Sequence, residues 1–227
     1  TIEVTPLFEG CEGPSETFTI TVNPTAQVNP IDPIVVCEGL PVDEIVFTTT
    51  NIDGSTAFSW FNDNTATGLD EQGTTSTPSF IATAGSTPEV SNITVTPLYT
   101  NNGIECEGPS ETFTITVNPT AQVNPIDPIV VCEGLTDNEI VFTTINSGGD
   151  TIYNWEVLTG SDDIGLGSGG TGPIPIFNAT AGTSSTQATI EVTPLFEGCE
   201  GPSETFTITV NPTAQVNPID PIVVCEG

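Results

Sequence analysis

Lysine, arginine and histidine are absent from the 227 residues, which carry 30 aspartates and glutamates and a formal charge of −30. Without a side-chain cation, no side-chain salt bridge can form, so stability has to come from burial, hydrogen bonds and cross-links. Nothing is available to pair with phosphate, so nucleic acids and anionic lipid headgroups are repelled. The missing histidine excludes Ser-His-Asp and Cys-His sites, and the missing lysine and arginine exclude Schiff bases, lysine bases and guanidinium clamps. Lys–Asn isopeptide cross-links are excluded by the same absence. Methionine is absent too, which places an initiator, and any anchor or export signal, outside these residues. No apolar run is long enough to cross a membrane as a helix, and direct membrane insertion is not expected.

Charged residues are only 13% of the chain, about half the usual share, so the anomaly is of sign and not of density. Apolar residues make up 36%, with 22 glycines beside them, an ordinary globular balance that argues against disorder. Paired carboxylates are the one catalytic device left, as in glycoside hydrolysis. The repeated ones, Glu38, Glu107, Glu111, Asp127 and their copies, fall in turns or beside a proline-spaced run. A solvated surface accounts for them, and no enzyme activity is expected.

The chain is a repeat. The segment CEGPSETFTITVNPTAQVNPIDPIVVCEG occurs letter for letter at 11–39, 106–134 and 199–227, and residues 1–39 recur at 189–227. Two unit types therefore alternate with a longer period of 188 residues. Between the identical blocks the units still align: EIVFTT at 44–49 with 139–144, Phe58-Ser59-Trp60 with Tyr153-Asn154-Trp155, and ITVTPLY at 93–99 with IEVTPLF at 190–196. A period near 94 residues fits one small domain per unit.

Hydrophobic periodicity is two. Phe113, Ile115 and Val117 point one way while Thr112, Thr114 and Thr116 point the other, and threonine, valine, glycine and proline dominate. Strands are expected around 26–36, 44–49, 56–62, 78–83, 91–99 and 111–117, an all-β chain of tandem immunoglobulin-like antiparallel β-sandwiches in an extended rod. Boundaries are placed at Asn23-Pro24, Asn118-Pro119 and Asn211-Pro212. Residues 1–23 then end a preceding repeat, 24–118 and 119–211 are complete repeats, and 212–227 start another. The three prolines of PTAQVNPIDPIVV read as a short stiff linker.

Six cysteines form three copies of a pair, which points to an oxidising, extracellular setting. If Cys37 closes the first strand and Cys106 opens an antiparallel last one, both lie at one end of the same sandwich. Cys11 sits a strand length, roughly 20–30 Å, from the next linker. The expected bonds are Cys37–Cys106 and Cys132–Cys199, with Cys11 and Cys225 paired outside these residues. Such a loop of roughly 70 residues would contribute about 4 kcal/mol.

No cofactor is required, and calcium is the one ligand the residues suggest. Oxygen-rich clusters occur at Asn62-Asp63-Asn64 with Asp70-Glu71 and at Asp162-Asp163, which makes Asp63, Asp70, Asp162 and Asp163 the candidate ligands. Trp60 and Trp155 could stack on sugars, but each has an aromatic partner two residues away on its own face and reads as core. Asn92 and Asn178 head N-glycosylation-type triplets, and Thr151 lies in a short O-glycosylation-type triplet.

Val-Val-Cys-Glu-Gly opening a unit, the Phe-Ser-Trp or Tyr-Asn-Trp strand, Val-Thr-Pro, and Cys-Glu-Gly-Pro followed by Thr-Phe-Thr-Ile-Thr-Val-Asn-Pro resemble the PKD-like (Ig-like) repeats of giant Bacteroidota surface proteins. Gliding-motility adhesins exported by type IX secretion contain such arrays. The resemblance implies a seven-stranded sandwich, a cell-surface location and a very long parent chain. The leading expectation is a stiff acidic stalk for attachment or gliding, whose partners are neighbouring repeats of its own chain and a surface polysaccharide or substratum. A carbohydrate-binding array and a subunit of a self-assembled filament are the alternatives.

Overall fold

The computed structural model describes residues 1–136 and 139–227, apart from the side chains of Leu135, Ser161 and Asp162. The protein is an all-β, immunoglobulin-like sandwich chain, and two six-stranded sheets in it have the same strand order. In the first, strands lie in the order Ile34–Cys37, Glu111–Asn118, Glu89–Asn101, Ser55–Asn62 and Gln72–Thr74. In the second the order is Ile129–Cys132, Glu204–Asn211, Thr186–Phe196, Thr151–Thr159 and Gly169–Thr171. These are called below the opening, closing, long, tryptophan and edge strands. A short return strand, Ile104–Glu107 or Cys199–Glu200, folds back on the long strand as a hairpin. Facing the main sheet, Pro41–Val42 pairs with Phe80–Ile81, and Gly134–Leu135 pairs with Asn178–Ala179.

The alternation in the sequence decides which side is core. Phe113, Ile115 and Val117 are buried, as are Phe206, Ile208 and Val210 in the copy, while the intervening threonines are not. Side chains two apart share a face of a strand, so one apolar stripe packs inward and the threonine stripe faces water. Trp60 and Trp155 are 4% and 6% exposed and are core residues. Phe58 packs edge-on against Phe47, and Tyr153 against Phe142.

The expected strand 26–36 is only partly ladder. Residues 26–33 form no regular ladder, although Asn29 N donates to Thr48 O at 2.8 Å, and regular strand begins at Ile34. Proline supplies no N–H, so three prolines in ten residues leave too few donors for a ladder. Asparagine side chains add to that hold. Asn51 accepts from Gln27 N at 2.7 Å and donates to Thr25 O at 3.1 Å, and Asn146 does the same for Gln122 N and Thr120 O at 2.7 and 3.2 Å. Ala26, Val28, Ala121 and Val123 are buried, so this segment packs as part of each fold and is not a free spacer. Gly108 and Gly201 face the carbonyls of Ala26 and Ala121, where an added Cβ would sit 1.9 and 1.7 Å from the oxygen. That close approach explains the glycine of each Cys-Glu-Gly-Pro.

Contacts divide the chain into two units. One comprises Thr1–Ile34, Pro41–Ile81 and Val90–Thr116; the other comprises Val35–Leu40, Ala82–Glu89 and Val117–Gly227. Within the second, Val123, Phe142, Trp155, Ile174, Ile190 and Ile208 belong to one continuous apolar cluster.

Candidate functional site

The most specific chemistry on the chain is a disulfide in the second unit. Cys37 and Cys199 are bonded, with S–S 2.03 Å and Cα atoms 5.5 Å apart, across 162 residues of sequence. Cys37 ends the opening strand of one sequence repeat, and Cys199 opens the return strand of the next. Cys11, Cys106, Cys132 and Cys225 are free thiols. The expected bonds Cys37–Cys106 and Cys132–Cys199 are therefore corrected: each bonded cysteine takes its partner from the neighbouring repeat.

Strand direction is the reason. The opening and closing strands pair in parallel, with Ile129 opposite Ile208 and Cys132 opposite Asn211. Glu133 N then donates to Asn211 O, and Glu38 N donates to Asn118 O, both at 2.8 Å. An opening-strand cysteine thus lies at the far end of its closing strand. The return-strand cysteine lies at the near end, with Cys106 opposite Tyr99 and Cys199 opposite Phe196. An eight-residue strand separates the two ends by roughly 25 Å, far beyond the reach of a disulfide.

Around the bond, polar groups are satisfied locally. Asn118 is buried and its Nδ2 donates to Glu197 O at 3.3 Å. The Glu38 carboxylate accepts from Thr120 N at 3.2 Å, and the Glu197 carboxylate accepts from Asp150 N at 2.9 Å. Ser147 N donates to Ser86 O at 2.9 Å. Glu197 and Gly198 form a two-residue turn with φ of 45° and 86°. Glycine holds such a φ without strain, and the tight turn places Cys199 directly beside Phe196. Cys199 itself is 2% exposed, while Cys37 is half-buried and leaves the bond open to reductant from its side.

The calcium candidates fall on differently used residues. Asp63 is committed to Asn92, accepting from its Nδ2 and its backbone N at 2.7 Å each. The Asn92 side chain, with its backbone N–H adding to it, holds the Asp63 carboxyl below the usual carboxylate range. Asn62 is buried and ties Leu69 O, and Asn64 caps the short turn Thr65–Thr67 through Ala66 N. These asparagines brace a loop, which is the ordinary work of short amide side chains. Asp70 is exposed, and Asp163 lies in the short helix Ser161–Ile164, its backbone oxygen accepting from Thr180. The side chain of Asp162 lies outside the described residues. Among the described residues no three acidic or cysteine side chains gather as a metal cluster. Of the glycosylation candidates, Asn92 and Asn178 are exposed and Thr151 is half-buried at the start of the tryptophan strand.

Because Asp63 is held below its ordinary value, its contribution to stability is present above the unfolded carboxylate value and fades as pH falls through the lowered one. Asp63→Ala is therefore expected to be less stable than the parent at pH 6 and indistinguishable from it in strong acid. Paired urea titrations across that range would show it, and a difference that persisted unchanged in acid would refute the assignment.

Residues 34–121 match the family model described as a PKD-like domain. No curated protein matches the chain. Among solved structures, DIP-gamma IG1+IG2 aligns at 9% identity and TM-score 0.45, covering 86% of this chain and 100% of that one. Human mucin-like protocadherin EC1-2 aligns at 15% identity and TM-score 0.38, covering 83% and 98%. Mouse cadherin-23 EC22-24 aligns at 12% and 0.46, covering 83% and 67%. Among the described residues no helix is long and apolar enough to cross a membrane. The chain is thus an immunoglobulin-like sandwich whose residues 34–121 are similar to the PKD-like domain.

Proposed function

We propose that this chain is a structural segment of a long extracellular stalk, of the kind that carries surface adhesins of gliding bacteria exported by type IX secretion. The observation that carries the reading is the Cys37–Cys199 bond, which ties one sequence repeat to the next. A spacer that transmits force needs its links locked, and letter-for-letter repeats supply length without new chemistry. The acidic surface suits such a fibre, since like charges resist collapse and keep neighbouring fibres apart. Burial of Trp60 and Trp155 takes away the stacking platform that a sugar-binding array would need.

Pulling the full chain from its two ends tests this reading. The bond bypasses the 162 residue steps from Cys37 to Cys199, so the oxidised chain should stretch roughly 550 Å less than the reduced one. Equal contour lengths with and without reductant would refute a force-bearing lock.

A further inference from the structure

The half-sites left at Cys132 and Cys106 are built like the two halves that are bonded. Cys132 ends the sequence-identical copy of the Cys37 segment. Two bonds beside it recur: Glu133 N donates to Asn211 O as Glu38 N donates to Asn118 O, and Thr213 N donates to Glu133 Oε2 at 3.3 Å where Thr120 N donates to Glu38 Oε2 at 3.2 Å. Cys106 occupies the Cys199 position, opposite Tyr99 where Cys199 is opposite Phe196. The arrangement beside it recurs as well. Asn23, the equivalent of Asn118, donates through Nδ2 to Asn101 O at 3.3 Å, as Asn118 donates to Glu197 O at 3.3 Å. The end of one closing strand therefore meets the next repeat's hairpin in each unit taken by itself. The hairpins differ in length, since Asn102-Gly103 turns two residue pairs beyond Cys106, yet the cysteine keeps its place against the long strand.

We infer that Cys132 and Cys106 are the two ends of a disulfide relay: every opening-strand cysteine bonds the return-strand cysteine of the following repeat, and the partner that both free ends take is a further copy of this same repeat. Under that rule the only cysteines here whose partners are also present are Cys37 and Cys199, which is the pair observed. The contact is heterologous and head-to-tail, so it propagates and does not close. Each link forms in two exchanges: one thiolate attacks a small-molecule disulfide such as oxidised glutathione, giving a mixed disulfide and releasing one small thiol, and its partner thiolate then attacks that mixed disulfide at the cysteine sulfur, releasing the second. The two cysteine sulfurs lose two protons and two electrons, and the small disulfide is reduced to two thiols. The inference rests on the stalk reading and adds its pairing rule.

The test extends the chain by its own 188-residue period, appending a second copy of residues 40–227 after Gly227. Both chains are refolded with oxidised and reduced glutathione, and thiols are titrated under denaturing conditions. Peptides are mapped without reduction after cleavage at Asp and Glu, because trypsin has no site. The relay predicts that disulfides triple, from one to three, while free thiols stay at four per chain. It also predicts a new peptide joining Cys132 to the appended copy of Cys106. Thiols rising with length, or Cys132 found bonded to Cys199, overturns the relay. Two outcomes separate the claims: Cys37–Cys199 formed with Cys132 free sinks the relay alone, whereas absence of Cys37–Cys199 sinks the stalk reading with it.

Discussion

Cys37→Ser is expected to destabilise the second unit by about 3–5 kcal/mol, whereas Cys106→Ser and Cys132→Ser leave this chain's stability unchanged. The bond closes a loop of 162 residues, and the chain-entropy model gives about 5 kcal/mol for a loop of that size, with measured values commonly falling below it. Cys37 is the better position to change because it is half-buried, while Cys199 is fully enclosed and a serine there would also bury a hydroxyl. The effect should be confined. Val35–Leu40 belongs to the same unit as Val117–Gly227, so one of two calorimetric transitions shifts down, by something on the order of 10–25 °C. Adding a reductant to the parent should move that transition to where the variant already lies. Bonding within each repeat predicts a different pattern, in which all four cysteines matter equally. A Cys106→Ser melt as low as that of Cys37→Ser would therefore refute the observed pairing.

The contrast with the pairing expected from sequence shows what a period of two carries. Alternation says which side chains share a face, and it placed Phe113, Ile115 and Val117 inside correctly. It contains nothing about strand direction. The opening strand has the same apolar pattern whether it runs with or against the closing strand. Parallel pairing, read from the Cys132 strand, with the matching Glu38 N to Asn118 O bond, puts Cys37 at the far end of its closing strand from Cys106. Long-range neighbours such as Glu197 beside Asn118 had no local signature either. The proline run was legible in part for a related reason. Its missing donors were legible, but the asparagine acceptors at 51 and 146 that hold it lie 24 residues away in each repeat. At Asn62, Asp63 and Asn64 the residue types fit a cation loop and a braced turn equally well, and the partners Leu69, Asn92 and Ala66 that brace the turn had no local signature.

Trp60→Ala is expected to cost the first unit about 3–5 kcal/mol, the usual loss for a large buried aromatic, which in a small sandwich is most of its stability. The ring lies over Gly73, where an added Cβ would be 2.5 Å from the indole, and its Nε1 donates to Ser76 O at 3.0 Å. Trp155 stands over Gly170 in the same way, but its buried Nε1 has no acceptor among the described residues. Substitution by phenylalanine separates packing from hydrogen bonding. Trp60→Phe loses ring area and also leaves Ser76 O without that donor, whereas Trp155→Phe loses ring area and relieves a buried N–H that is unpaired. The first should therefore cost more than the second, by about 1–2 kcal/mol. The chain has only two tryptophans, so each variant leaves one indole as the fluorescent reporter, and circular dichroism at matched urea concentrations follows the unit that has lost its own. A Trp155→Phe loss equal to or greater than that of Trp60→Phe would mean that the Trp155 N–H is satisfied in solution, and that both indoles owe their place to the same bond as well as the same packing.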